Sequence, residues 1–417
     1  MNKLRIRCFV ITRSDSIGST EPEGYVILHE KADQTQALLT ETGLDCWLTF
    51  ARETELHPDP GIEQVVGANV VRNSAFIFGS GGERIAIVAN FDTSAIRAKG
   101  VFREVVGYDE DIRGPLLDAL RRLDPRTIAL NYSTDDVTAD GLTHGQWLLL
   151  QQLLGGTPYL DRLTSAAPLL ARLRGRKTPT EVERIRRAIA VTEEIVRQIT
   201  AQIRPGVSER DLAAFVHAQF AERNLSPAWA AEGCPIVNCG PSSDMGHTYP
   251  SATIRVEPGH LVHIDLGVRL EGYCSDLQRM WYVRRPGESA PSADIQRAFD
   301  TVVRAIDAGA AVLRPGVRGF EVDAAARAVV VEAGYPEFKH GLGHGLGRAV
   351  HDGGAMLGPR WACYGRNVDT VIEAGNVFTL ELGILTAAGL VGLEEDVLVT
   401  PQGCEFLSTQ QRALVVV

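Results

Sequence analysis

The sequence predicts an α+β protein: an internally duplicated C-terminal domain, residues 175–417, behind an α/β N-terminal domain, residues 1–174. Three observations predict it. The tetrapeptide RPGV occurs at Arg204–Val207 and again at Arg314–Val317, 110 residues apart, each time joining a long amphipathic helix to another helix. Each copy is followed by an acidic hairpin, "HLVHIDLGVRLEGYCSDLQRMWYV" and "NVFTLELGILTAAGLVGLEEDVLVT". Ahead of the duplication, short apolar runs alternate with helix-like stretches, the pattern of a sheet covered by helices.

In the first domain the strand-like runs are "GYVILHE", "CWLTF", "SAFIFG", "RIAIVANF" and "TIALNY"; the helix-like stretches are "ADQTQALLTETG" and "IRGPLLDALRRLD". No catalytic constellation stands out there. The densest basic run, "RLRGRK" at Arg172–Lys177, reads as a solvated linker. A net charge of −10 argues against a nucleic-acid or anionic-membrane partner bound through a basic surface. The opening "MNKLRIRCFVITRSD" has neither the apolar core nor the cleavage site of a signal peptide. No segment has the roughly 18 apolar residues of a membrane span. The seven cysteines form no CxxC pair and read as buried free thiols in a reducing cytoplasm.

The second domain opens with a strong helix start. Thr178 can cap, Pro179 suits the first turn, and Glu181 can bond back to the cap. Val182, Ile185, Ile189, Ile195, Ile199 and Ile203 then mark a buried stripe. Two similar halves should pack about a pseudo-two-fold axis with their hairpins facing each other. Alternation along a strand puts Asp265 and Asp276 on one face of the first hairpin. They are directly opposite if the turn is Leu270-Glu271, and diagonal if it is Glu271-Gly272. Glu381 and Glu394 behave alike in the second, opposite for a turn at Ala387-Ala388 and diagonal for Ala388-Gly389.

Four acids among apolar neighbours need about four positive charges, because a buried unpaired carboxylate costs several kcal/mol. The hairpins hold no lysine, and Arg269 and Arg279 balance only part. Two divalent cations would balance all four. Glu395 points to the opposite face, Asp396 lies near the ligands, and His263 shares the face of Asp265 as a packing or supporting residue.

A histidine would complete such a set, and "GLGHGLGRAVHDGG", Gly341–Gly354, offers His344 and His351, with His340 just before it. A phosphate loop is excluded, since no lysine and hydroxyl follow these glycines and the GxGxxG spacing fails. The glycines instead let the backbone pass close to something bulky or charged. Oxygen-rich ligation with one imidazole suits manganese, iron, cobalt or magnesium better than a thiolate-type zinc site.

These residues resemble the pita-bread metallopeptidases, the family of methionine aminopeptidase, prolidase and aminopeptidase P. "IDLGVRLEGYCSDLQR" is similar to that family's two-aspartate hairpin, "HGLGHGLGRAVHDGG" to its histidine segment, and "FTLELG" and "LEEDVLVT" to its two glutamate strands. "IVNCGPSSDMGHTYP" is similar to the segment supplying a further substrate histidine, His247. The wording and the large N-terminal domain, of creatinase/prolidase type, are nearer prolidase and aminopeptidase P. The resemblance implies a pita-bread fold and a dinuclear centre of Asp265, Asp276, His344, Glu381 and Glu394. Manganese is the first expectation for the metal, with cobalt, iron or zinc as other candidates. It implies His247, His351 and Glu381 as catalytic residues, and His247, His351 and His340 on the substrate side. It also implies hydrolysis of peptide bonds at Xaa-Pro, a peptide substrate and a homodimer, while the cysteine usage above gives the cytoplasmic location. The chain departs from the pattern at Leu382, where the family often has proline, at Gly392, where it often has arginine, and at Gly246 and Thr248 around His247. Two alternatives stay open: a C–N hydrolase of the same fold with a non-proline or non-peptide substrate, and a non-catalytic peptide-binding protein.

Overall fold

The computed structural model describes residues 23–417 apart from Met245 and His247. The stretch read for a signal peptide and Cys8 lie outside the described residues. The run "GYVILHE", expected as a strand, is instead the first part of helix α1 (Glu23–Thr42). An apolar run that short does not reveal its period. Only with the residues after it does a helical face emerge, as Ile27, Leu28, Lys31, Ala32, Thr35, Leu38 and Leu39 are all buried.

The other four runs form strands. β1 (Cys46–Ala51), β2 (Ser74–Gly79), β3 (Arg84–Ala89), β4 (Glu104–Tyr108), β5 (Ile128–Leu130) and β6 (Leu163–Ser165) make one sheet in the order β4-β3-β2-β1-β5-β6. It is mixed: β1 to β3 pair antiparallel, while β4, β5 and β6 join parallel. Between the later strands run α2 (Thr93–Ala98), α3 (Arg113–Leu123) and α4 (His144–Leu154), and α5 (Ala167–Gly175) follows β6. One sheet face buries Trp47, Phe76 and Phe78 with residues of α1 and α5; the other buries Cys46, Leu48 and Phe50 with residues of α3 and α4. Burial on both faces explains why these strands read as unbroken apolar runs.

Helix α6 (Pro179–Thr200) starts as its sequence requires. Thr178 accepts from the Glu181 amide, and Glu181 accepts from the Thr178 amide. After it come α7 (Glu209–Glu222), β7 (Ser226–Pro227), β8 (Ile236–Cys239), β9 (Leu261–Leu266), β10 (Val268–Leu270), β11 (Tyr273–Cys274) and β12 (Leu277–Tyr282). The second copy comprises α8 (Ala293–Val312), α9 (Gly319–Glu332), β13 (Val377–Thr386) and β14 (Gly389–Thr400). β15 (Gly403–Phe406) pairs with β14, and β16 (Val415–Val416) pairs with β12. Strands of both copies merge into one sheet, β13-β14-β12-β9-β8 along its main path. Each helix pair covers its own hairpin. Ile195, Ile199, Leu212 and Val216 pack with Val262 and Ile264. Phe299, Val302, Val322 and Ala326 pack with Phe378, Leu380 and Leu393. With the helices on that face, the alternate residues of the strands are left for the other.

The basic run is not a solvated linker. It closes α5, and Arg174 and Lys177 are buried, 2.5 and 2.8 Å from the two carboxylate oxygens of Asp352. Arg176 bridges Glu41 and Glu373. A further tie between the two parts is Lys31, whose Nζ lies 2.7 Å from the equally buried Glu181. Charges at this junction neutralise partners distant in sequence, which composition alone does not reveal. Of the cysteines, Cys46, Cys234, Cys239 and Cys274 are buried, but Cys363 is exposed and Cys404 half-buried. Among the described residues no helix is long and apolar enough to cross a membrane.

Candidate metal centre

The turn of the first hairpin falls at Glu271-Gly272, whose φ angles are 51° and 82°. Asp265 therefore pairs with Gln278, and Asp276 is its diagonal neighbour. In the second hairpin the turn falls at Ala387-Ala388, which sets Glu381 opposite Glu394. The two hairpins meet through a Gln278–Glu394 pair between β12 and β14. One row of side chains thus crosses the sheet: Asp265, Gln278, Glu394, Glu381, with Asp276 beside it.

His344 enters from the glycine-rich loop, which runs along β13. The His344 carbonyl accepts from the Thr379 amide at 3.0 Å, and the Leu342 carbonyl accepts from the Glu381 amide at 2.7 Å. Gly343 is needed for this approach, since a Cβ there would lie 1.9 Å from the Thr379 carbonyl oxygen. At Gly343 the bulky object is the backbone of β13; at Gly347 it is the Asp352 carboxylate and the Lys177 side chain. His344 Nε2 then sits 3.6 Å from Glu381 Oε1, 3.8 Å from Asp276 Oδ2 and 3.9 Å from Glu394 Oε1.

Asp276, His344 and Glu394 are buried, and each offers an atom within 4.8 Å of the others. Asp265 and Glu381 are half-buried at the ends of the row. Burial first, then the neighbouring acids, push Asp276 and Glu394 well above the ordinary carboxylate range. Burial, then Glu381, raise Asp265 as well. Burial, then His351, lower His344 to about 3, so the imidazole is neutral, the form that binds metal.

Asp265 Oδ1, Asp276 Oδ1 and Glu394 Oε1 are buried without a hydrogen-bond partner. The hairpin arginines do not supply one. Arg269 is exposed, and Arg279 turns to Glu395 at 3.0 Å on the opposite face. Orphaned carboxylate oxygens converging on a neutral imidazole fit divalent cations and little else.

His351 is exposed, with its ring 4.3 Å from that of His344 and edge-on to it. His340 is exposed too, packed on Phe338 with Nδ1 2.8 Å from the Gly341 carbonyl oxygen. His247 lies outside the described residues.

Residues 183–401, over half of the chain, match the model of metallopeptidase family M24. The chain belongs to this family. An uncharacterized peptidase of Staphylococcus saprophyticus is 27% identical over 341 residues, 81% of this chain and 88% of that protein. The Xaa-Pro dipeptidase of Pyrococcus horikoshii is 31% identical over 242 residues, 57% of this chain and 64% of that protein. Among solved structures, an Xaa-Pro dipeptidase from Bacillus anthracis shares the fold with a TM-score of 0.72 at 24% identity, over 94% of this chain and 100% of that one. An X-Pro aminopeptidase from Thermotoga maritima gives 0.68 at 25%, over 93% and 99%. The fold is the pita-bread architecture of M24 prolidases, the chain is a peptidase, and family membership implies divalent metal.

Sequence reasoning missed three residues around this M24 centre. Gln278 donates to both Glu381 and Glu394; its place two residues after Asp276 on the same strand face was the available signal. Glu209, at the start of α7, accepts from the amides of Cys239 and Ser251 at 3.0 and 2.9 Å, tying both ends of the segment that contains His247. No sequence pattern marks it.

The third, Asp352, follows His351 directly. Burial alone would raise its pKa, but Lys177 and Arg174 bring it down to about 2. Its carbonyl also accepts from Arg174 Nε at 3.1 Å, so α5 clamps the histidine loop. Asp352→Ala is expected to cost about 3–5 kcal/mol in urea unfolding, because two cations are left buried without their countercharge. Peptidase activity should fall with it as His351 loses its anchor. An unfolding midpoint equal to wild type would show that the clamp carries no load.

Proposed function

We propose that this M24 peptidase hydrolyses peptide bonds at Xaa-Pro, as an aminopeptidase P or prolidase does. The observation that carries the reading is the convergence of Asp276, Glu381 and Glu394 on His344 Nε2, with orphaned carboxylate oxygens around it. The printed descriptions of the Pyrococcus, Bacillus and Thermotoga proteins support the proline preference. Asp265, Asp276, His344, Glu381 and Glu394 would hold two divalent ions, manganese first, with cobalt, iron or zinc as the other candidates. Bound there, the ions supply Lewis acidity and a water ionised near neutral pH.

The chain's own residues do the rest. Glu381, half-buried at the end of the row, takes the proton of the attacking water and returns it to the leaving nitrogen. His351, exposed beside His344, donates a hydrogen bond to the substrate carbonyl oxygen as charge develops on it. His247 shares that task by its sequence position, and His340 borders the peptide. A homodimer and a cytoplasmic location belong to the same proposal.

One observation favours a second reading, a C–N hydrolase with a non-proline substrate. Gly392 stands where the family often has arginine, and the space above it is filled by His263 and Gln278. One experiment tests both. The protein is stripped with a chelator, reloaded with manganese or cobalt, and assayed on Xaa-Pro dipeptides, longer Xaa-Pro peptides and non-proline amides. Activity on the proline substrates should vanish on stripping and return on reloading. Full Xaa-Pro hydrolysis by the stripped protein ends the mechanism. Hydrolysis of non-proline amides alone moves the assignment to the second reading, and a protein that takes up no metal is a binding relative.

A further inference from the structure

We propose that Gln278, held by His263, is the positioning residue that aims Glu381 and Glu394 at the metal site. This rests on the reading of those glutamates as ligands. Gln278 occupies the second place of the cross-sheet row, between Asp265 and Glu394. It is the neutral member of a row otherwise made of acids. Its Nε2 donates to Glu381 Oε2 at 2.8 Å and to Glu394 Oε2 at 3.1 Å. One amide therefore captures the same oxygen of each glutamate. The other oxygen of each, Oε1, is the one that faces His344 Nε2, and Glu394 Oε1 is among the orphaned atoms.

An amide can do this only if it cannot flip, since a flip would turn its oxygen on two carboxylates. His263 prevents it. His263 Nε2 lies 3.0 Å from Gln278 Oε1, and with Gln278 Nε2 committed to the acids, the ring donates there. His263 and Gln278 are both buried. The contacts run from β9 through β12 to end on the two glutamates of β13 and β14.

The same contacts account for Gly392. A Cβ at that position would lie 2.9 Å from His263 Nε2 and 3.1 Å from Gln278 Oε1. Any side chain there would displace the pair. Gly392 and the polar contacts are thus two parts of one arrangement, in which the glutamates are oriented by a fixed neutral dipole from within the sheet.

The test measures Mn²⁺ affinity of metal-stripped protein by competition with a fluorescent chelator, for wild type, Gln278→Leu and Gly392→Ala. Circular dichroism and urea unfolding of the same samples report the fold. Partners that orient metal ligands are typically worth about 10–100-fold in affinity, and Gln278→Leu should weaken Mn²⁺ binding by that order. Gly392→Ala, which keeps every polar group but crowds the His263–Gln278 contact, should weaken it less and in the same direction. In the Gly392→Ala protein, His263→Ala should bring no further loss comparable to its effect in wild type, because the contact is already broken. Folded Gln278→Leu with wild-type Mn²⁺ affinity overturns the proposal. If Gln278→Leu does not fold, wild-type affinity in Gly392→Ala overturns it instead. A wild-type protein that binds no Mn²⁺ overturns the ligand reading itself, which separates the two failures.

Discussion

Glu394→Gln is expected to abolish peptide hydrolysis while making the metal-free protein harder to unfold. Glu394 is buried, its Oε1 has no hydrogen-bond partner, and Asp276, Glu381 and Asp265 all raise its pKa. In the absence of cations a carboxylate so placed opposes folding, through burial and like charge together. Glutamine keeps the volume and removes the charge, so the stripped variant should unfold at higher urea than stripped wild type. Activity moves the other way. Losing a residue that only orients metal ligands costs about 10–100-fold, and losing a ligand should cost more. The measurements are kcat/KM under saturating manganese and the urea midpoint after chelation. A residue that merely packed the sheet would lower both or neither. A variant with normal activity, or a stripped variant less stable than stripped wild type, contradicts the assignment.

The second large effect is on pH. Stripped protein should lose stability as pH rises across the acidic and neutral range, and divalent metal should reverse the trend. Asp265 is an acid whose folded pKa is raised from 3.8 to about 8, by burial and then by Glu381. Over that window the folded state keeps a proton that the unfolded chain has released. Stability is therefore full below the unfolded value and drains as pH climbs to the folded one. The slope is at most about 1.4 kcal/mol per pH unit for each such proton. Asp276 and Glu394, raised for the same reasons, act in the same direction. Cations displace those protons and bind only the folded site, so manganese at 100 times its dissociation constant should add about 2.7 kcal/mol. Urea midpoints at several pH values, with and without manganese, decide it. A stripped protein whose midpoint rises steadily from acid to neutral pH would mean that the acids are already neutralised by the protein.

The shared faces of the four proposed ligand carboxylates were legible because strand alternation is a local rule. Asp265 and Asp276 share a face under either turn, and so do Glu381 and Glu394, so uncertainty in register did not disturb the set. The capping box at Thr178-Pro179-Thr180-Glu181 was legible for the same reason, each bond spanning three residues. The failures share a cause too. "GYVILHE" looked like a strand because its helical period shows only beyond its own length. "RLRGRK" looked like a linker because its countercharge, Asp352, lies about 175 residues away, with Lys177 and Arg174 folded onto it. Strand alternation placed Gln278 on the face of Asp276, but that it joins the two glutamates follows only from the β12–β14 pairing.

What residue order alone determined about this protein was which side chains carry chemistry and which face of each hairpin they share, since a strand's pleat and a helix's turn are set by neighbours along the chain. What the tertiary structure decided was how the faces meet. The β12–β14 pairing aligns two acidic hairpins into one row, the histidine loop lies along β13, and α5 supplies the cations that hold Asp352. The β12–β14 and α5–Asp352 contacts join segments more than a hundred residues apart, and the histidine loop reaches β13 across 35 residues; only packing of the two halves around a common sheet brings them within reach.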